Sequence, residues 1–139
     1  MTNGDPQAEL LATIMQGVDT AISVVDDIEA GLLDCSKQLR VDPSFDTFTT
    51  LSIGIGNLGD MVALMQEIYK GCAHLRSNPV SAESVTAFEK SVDLFREAQA
   101  SMERQDWISL ADLIQYEVSP ILKESKQELL ALRDCLAQG

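Results

Sequence analysis

Nine apolar side chains, Leu11, Ile14, Val18, Ala21, Val25, Ile28, Leu32, Cys35 and Leu39, succeed one another at alternating steps of three and four residues. An α-helix returns its side chains to one face about every 3.6 residues, so all nine lie on a single stripe. Phe48, Leu51, Ile55, Leu58, Val62, Met65, Tyr69 and Cys72 repeat the pattern. A third run is Val85, Phe88, Val92, Phe95, Gln99 and Met102, and a fourth is Trp107, Ala111, Ile114, Val118, Ile121, Ser125, Leu129, Leu132 and Leu136. A chain with four such stripes is constrained to bury helices against helices.

Punctuation agrees with the stripes. Asp5-Pro6 and Asp42-Pro43 each set a capping acid before proline at a first helical position. Ser81 and Asp106 supply the later caps. Lys37 and Arg40, then Lys70 and Arg76, close the first two helices where the macrodipole favours cations. The break between the last two helices, "ERQD", has neither glycine nor proline, and phase alone places it. Continuing the third stripe would bury Asp106 and Ser109, whereas a new start at Trp107 restores apolar residues. The expectation is one domain, 1–139, with helices at about 6–40, 43–76, 81–104 and 107–137. Short connections make neighbours antiparallel, so the fold class is all-α: an up-down-up-down four-helix bundle with long helices.

Inside the second stripe, Gly54, Gly56 and Gly59 have the spacing of a dinucleotide-binding turn. That motif needs a strand before it and an acid about twenty residues later. Here the helical stripe runs through the glycines, and residues 76–80 read Arg, Ser, Asn, Pro and Val. The triplet is therefore read as a site of close helix packing. Gly56, Gly59 and Ala63 fall to one side, where a neighbouring helix or Trp107 can approach the backbone.

"DWISLADLIQYEVSPILKE", residues 106–124, has the order Asp106, Trp107, Ile108, Asp112, Leu113, Ile114, Tyr116, Glu117, Val118, Pro120, Ile121, Leu122. It resembles a family of small helical bacterial proteins of unknown function, whose last helix carries D-φ-φ-φ-x-D-φ-φ-x-Y-E-φ-x-P-φ-φ, with φ apolar. Ser109 departs from that pattern. The resemblance implies the fold and no activity. Pro120 lacks an N–H and pushes against the carbonyl of Tyr116, so the last helix is expected to kink there. A hydroxyl such as that of Ser119 is one candidate donor for the freed carbonyl. Asp112, Tyr116, Glu117 and Pro120 form the candidate recognition or structural network at that kink.

Reactive constellations are missing from the sequence. His74 is the single histidine, which leaves no triad and no paired E-x-x-H metal site. A non-covalent haem held by Met15 and His74 is the remote exception, and methionine on a stripe is ordinarily core filler. Cys35, Cys72 and Cys135 are odd in number and widely spaced, which suits reduced thiols better than a disulfide scaffold or a zinc ribbon. No catalytic, cofactor-binding or metal site is assigned, and no cofactor is expected.

Charge narrows the partners. The chain carries a net −12, and residues 1–69 hold eleven acids against Lys37 and Arg40. Such a surface repels phosphate backbones and anionic headgroups, so neither nucleic acid nor membrane is expected. Asp26 and Asp27 read as a solvated face. The longest run free of ionisable groups, Thr47–Gly59, is thirteen residues, too short to span a bilayer. The start, "MTNGDPQAEL", lacks a basic leader. A cytoplasmic location follows as the expectation.

The function itself is not written in the residues. A non-catalytic protein acting through another protein or through its own copy, adaptor- or chaperone-like, is the first expectation. It rests on the acidity and on apolar residues beside the stripes: Leu10, Ile22, Val24, Leu33, Ile53, Leu64, Ile68, Leu94 and Leu130. Small acidic helical chaperones of bacterial export systems share this composition. A bundle binding a small molecule or cofactor near Pro120 is the alternative, and an enzyme comes third.

Overall fold

A computed structural model describes residues 5–138. Residues 1–4 and 139, and with them the leader reading and the outer limits of the 1–139 domain, lie outside the described residues. The order is α1 (Pro6–Val41), α2 (Phe45–Ala73), a 3-10 turn (Glu83–Val85), α3 (Thr86–Glu103), α4 (Trp107–Leu113), a π turn (Ile114–Val118) and α5 (Ser119–Gln138). The segments from α4 to α5 run on without a break and form a fourth rod. Each rod packs on its sequence neighbours, and the fourth returns to α1, which closes the ring of a four-helix bundle.

Polar contacts fix the antiparallel sense of α1 and the fourth rod. Asp19 meets Arg133 at 2.9 Å, Asp26 meets Lys126 at 2.6 Å, and Arg40 meets Asp112 at 2.6 Å. Ser36 Oγ, buried between these rods, donates to the carbonyl of Ala111 at 3.0 Å. One numbering rises as the other falls. At the other end of α1, Gln7 Nε2 donates to the carbonyl of His74, and Gln7 Oε1 accepts from the N–H of Arg76.

The core is the apolar stripes of α1, α2 and the fourth rod, centred on residues such as Val18, Leu32, Leu51, Met65, Ile114 and Leu129. α3 departs from expectation. Its buried positions are Ala87, Ser91, Leu94, Ala98 and Ser101, whereas Phe88, Val92, Phe95 and Met102 are half-buried and Gln99 is exposed. The stripe predicted from the largest side chains lies one residue from the buried axis. Small side chains let α3 sit close to its neighbours, and its aromatics lean over the flanks: Phe88 on Tyr69 and Phe95 on Gly59.

Caps are met at two of the four predicted sites. Asp5 Oδ1 accepts from the N–H of Gln7, and Asp106 Oδ1 accepts from that of Ser109. The Ser109 hydroxyl and N–H hold the Asp106 carboxyl below its usual range. Asp42 instead ends α1, its N–H donating to Gln38, and Ser44 caps α2 by accepting from Thr47. Pro43 therefore sits in the connection. Ser81 opens only the 3-10 turn, exchanging bonds with Ser84. The first turn of α3 is capped from afar by Glu128 of α5, whose two carboxylate oxygens accept from the N–H groups of Ala87 and Phe88.

The α3–α4 break is resolved at Gln105, with φ of 56°. The N–H of Asp106 donates to Ser101 and that of Gln105 to Met102. These two bonds, with a left-handed residue just past the helix, form a Schellman end. Glycine is the residue this geometry favours. Gln105→Gly is expected to stabilise the protein by about 0.5–1 kcal/mol, since relief of left-handed strain exceeds the added freedom of the unfolded chain. Urea unfolding followed by circular dichroism measures it.

The expected kink at Pro120 itself is not confirmed, and the irregularity of the fourth rod lies one turn earlier. The backbone widens to π geometry over Ile114–Val118, with the N–H of Ser119 donating to the carbonyl of Ile114. A π turn inserts one extra residue per turn and so shifts the helical register by one residue ahead of Pro120. The stripe then continues through Ser125 to Leu136, all buried.

Candidate functional site

The apolar surplus concentrates on α1 and α2. Each contains an 18-residue window long and apolar enough to cross a membrane by composition, of which 22% and 33% respectively is buried in the bundle. Each window is longer than the charge-free run Thr47–Gly59 because it includes no more than two Asp, Glu, Lys or Arg residues. Between the two helices runs an open furrow of about 440 Å³. Its floor is Val24 and Ile28 from α1 with Met61 and Leu64 from α2, and only Met61 is fully buried.

Asp27 and Asp60 stand on its rim, with Thr20 and Asn57. Their charge is uncompensated. Asp19, Asp26 and Glu29, on the side of α1 turned to the fourth rod, meet Arg133, Lys126 and Lys123. Asp27 and Asp60 have no ion-pair partner among the described residues. Asp26 and Asp27 thus part company: one ties helices together and the other lines the furrow. Val24 and Leu64 are both surplus to their stripes, and only the pairing of α1 with α2 brings them together.

The four residues of the Pro120 network lie along the outer side of the fourth rod. Asp112, Tyr116, Glu117 and Pro120 are all exposed, Tyr116 at 65%. Asp112 turns to Arg40, which also donates to Gln115 at 3.1 Å. Ser119 Oγ donates to Glu29 at 2.5 Å and so is spent on α1 rather than on the carbonyl of Tyr116. Lys123 joins the same carboxylate at 3.6 Å. The α1 partners of this segment, Arg40 and Glu29, are remote in sequence, and only the pairing of rods brings them in.

The glycines divide as well. A Cβ on Gly59 would lie 2.6 Å from Phe95 Cζ, and one on Gly54 would lie 3.0 Å from Leu32 Cδ2. Gly56 has nothing within 4 Å and takes no part in close packing. The neighbours are a leucine of α1 and a phenylalanine of α3, while Trp107 stacks on Phe48 with centroids 4.5 Å apart. The helix is continuous through all three glycines.

Of the three free cysteines, Cys35 and Cys72 are buried and Cys135 is exposed. Burial raises the pKa of Cys35 and Cys72, which keeps both thiols protonated. Burial first, then the nearby Glu128 and Cys72, pushes the Tyr69 hydroxyl well above the usual phenol range. His74 is exposed at the end of α2, and Met15 packs half-buried against the core. Among the described residues no three His, Cys, Asp or Glu side chains cluster as metal ligands.

Fold and surface together define an acidic, antiparallel four-helix bundle with an open apolar furrow on one face. More particularly, the chain belongs to the family described as "Domain of unknown function (DUF8042)", whose profile matches residues 16–128. That match reaches far beyond the nineteen residues of 106–124 and includes them. No curated protein and no solved structure matches the chain.

Proposed function

We propose that this protein is a non-catalytic cytoplasmic interaction module that receives another protein on the α1/α2 furrow. The observation that carries the reading is the half-exposed floor of Val24, Ile28 and Leu64 between two unpaired carboxylates. Apolar surface in a groove with a polar rim is the form that docking sites for amphipathic helices take. Two buried reduced thiols, Cys35 and Cys72, accord with a reducing compartment.

Site-specific photo-crosslinking in cells tests it. A photoreactive residue at Leu64 is expected to yield a discrete protein adduct, and one at exposed Glu89 on α3 is not. The adduct at position 64 is expected to disappear when Val24→Glu is added. Equal labelling at both positions, or none at position 64, would sink the reading.

A further inference from the structure

We infer that the occupant of the α1/α2 furrow is a cationic amphipathic helix of another protein, its apolar stripe on Val24, Ile28 and Leu64 and its Lys or Arg side chains meeting Asp27 and Asp60. This deepens the reading above and rests on it.

Length points to a helix of modest reach. Thr20 to Ile28 on α1 covers eight residue steps, about 12 Å along the axis, or roughly two turns. Two turns present apolar anchors at i, i+3 or i+4, and i+7, which matches a floor built from two antiparallel helices.

Charge selects among occupants. On the flank of α1 turned to the fourth rod the carboxylates are engaged, Glu29 with Lys123, Asp26 with Lys126 and Asp19 with Arg133, whereas no cation among the described residues pairs with Asp27 or Asp60 on the furrow rim. A second copy seated on the same furrow would set Asp27 and Asp60 against the copy's own carboxylates, a like-charge contact that opposes a symmetric dimer. An anionic bilayer meets the same repulsion. A helix with basic residues flanking its apolar stripe relieves both rim charges while covering the floor.

The test uses two labelled 18-residue helical peptides that share one leucine stripe, one flanked by Lys and the other by Glu. Fluorescence anisotropy against the full chain is expected to favour the Lys peptide by about ten-fold, as two partly screened ion pairs allow. Asp27→Lys with Asp60→Lys is expected to remove or invert that preference. Glu89→Lys with Asp93→Lys makes the same change of net charge on exposed positions of α3 and is expected to leave most of it. Circular dichroism confirms that both variants keep the fold.

Equal loss of preference in the two double variants would overturn the proposal, because attraction would then be to net charge and not to the furrow. Equal binding of both peptides, or of neither, overturns it too. So does a preference for neutral lipid vesicles over both peptides, or a dimer by light scattering that Leu64→Glu dissociates. The crosslink at position 64 separates the levels. If it forms while the peptides are not discriminated, the cationic occupant is wrong and the interaction module stands.

Discussion

Leu32→Ala is expected to destabilise the protein by about 3–4 kcal/mol and to lower Tm by about 15 °C in a thermal melt. Leu32 is 1% exposed and lies at the joint of α1 and α2. Its Cδ2 stands where a side chain on Gly54 would begin. Truncation therefore opens a void with no Cβ opposite to narrow it, which places the cost in the upper part of the range for leucine. Gly54→Ala alone drives a methyl to 3.0 Å from Leu32 Cδ2, and a leucine this buried has little room to yield. In the Leu32→Ala background the same methyl fills vacant space and adds helix propensity, so it is expected to recover about 1 kcal/mol or more. A Gly54→Ala effect of the same sign and size in both backgrounds would refute this account of the glycine.

Gly59→Ala is expected to destabilise by about 1 kcal/mol, the residue of two opposed effects. Alanine gains about 1 kcal/mol over glycine within a helix, and overpacking costs about 1–3 kcal/mol. Overpacking wins because the new Cβ would stand 2.6 Å from Phe95 Cζ and 3.0 Å from Cε1, well inside van der Waals contact. The half-buried ring can shift outward, which keeps the loss modest. With Phe95→Ala already present, Gly59→Ala is expected to become stabilising by about 1 kcal/mol. The double-mutant cycle should thus show a coupling near 2 kcal/mol by urea unfolding. Gly56→Ala, with open space at its Cβ, is the control and is expected to stabilise by about 1 kcal/mol.

Three glycines that look equivalent in the sequence thus have three different costs. Their neighbours come from α1, from α3 and from no helix at all. Helical periodicity fixes the direction in which each Cα faces, but not what stands opposite.

The candidate site was legible in pieces. Val24 and Leu64 stood out as apolar residues beside their stripes, and Asp27 as an acid next to Asp26. What separated Asp27 from Asp26 is the position of Lys126, a hundred residues further along the chain and paired with Asp26 alone. The Pro120 motif draws attention to the right segment, and of its conspicuous residues Asp112 contacts α1 through Arg40, joined there by Ser119 and Gln115, which the motif does not single out.

What the sequence settled by itself is the part governed by local geometry. The repeat of three and four residues set four rods, and Asp5 and Asp106 marked two of their beginnings, because backbone hydrogen bonds and capping act within one turn. The rest awaited assembly. The one-residue phase of α3, the π turn before Pro120, the remote cap from Glu128 and the uncompensated rim of the furrow arise only where rods meet. Packing and charge pairing depend on residues far apart in the chain, and their partners are chosen by how helices stack, which no single stripe encodes.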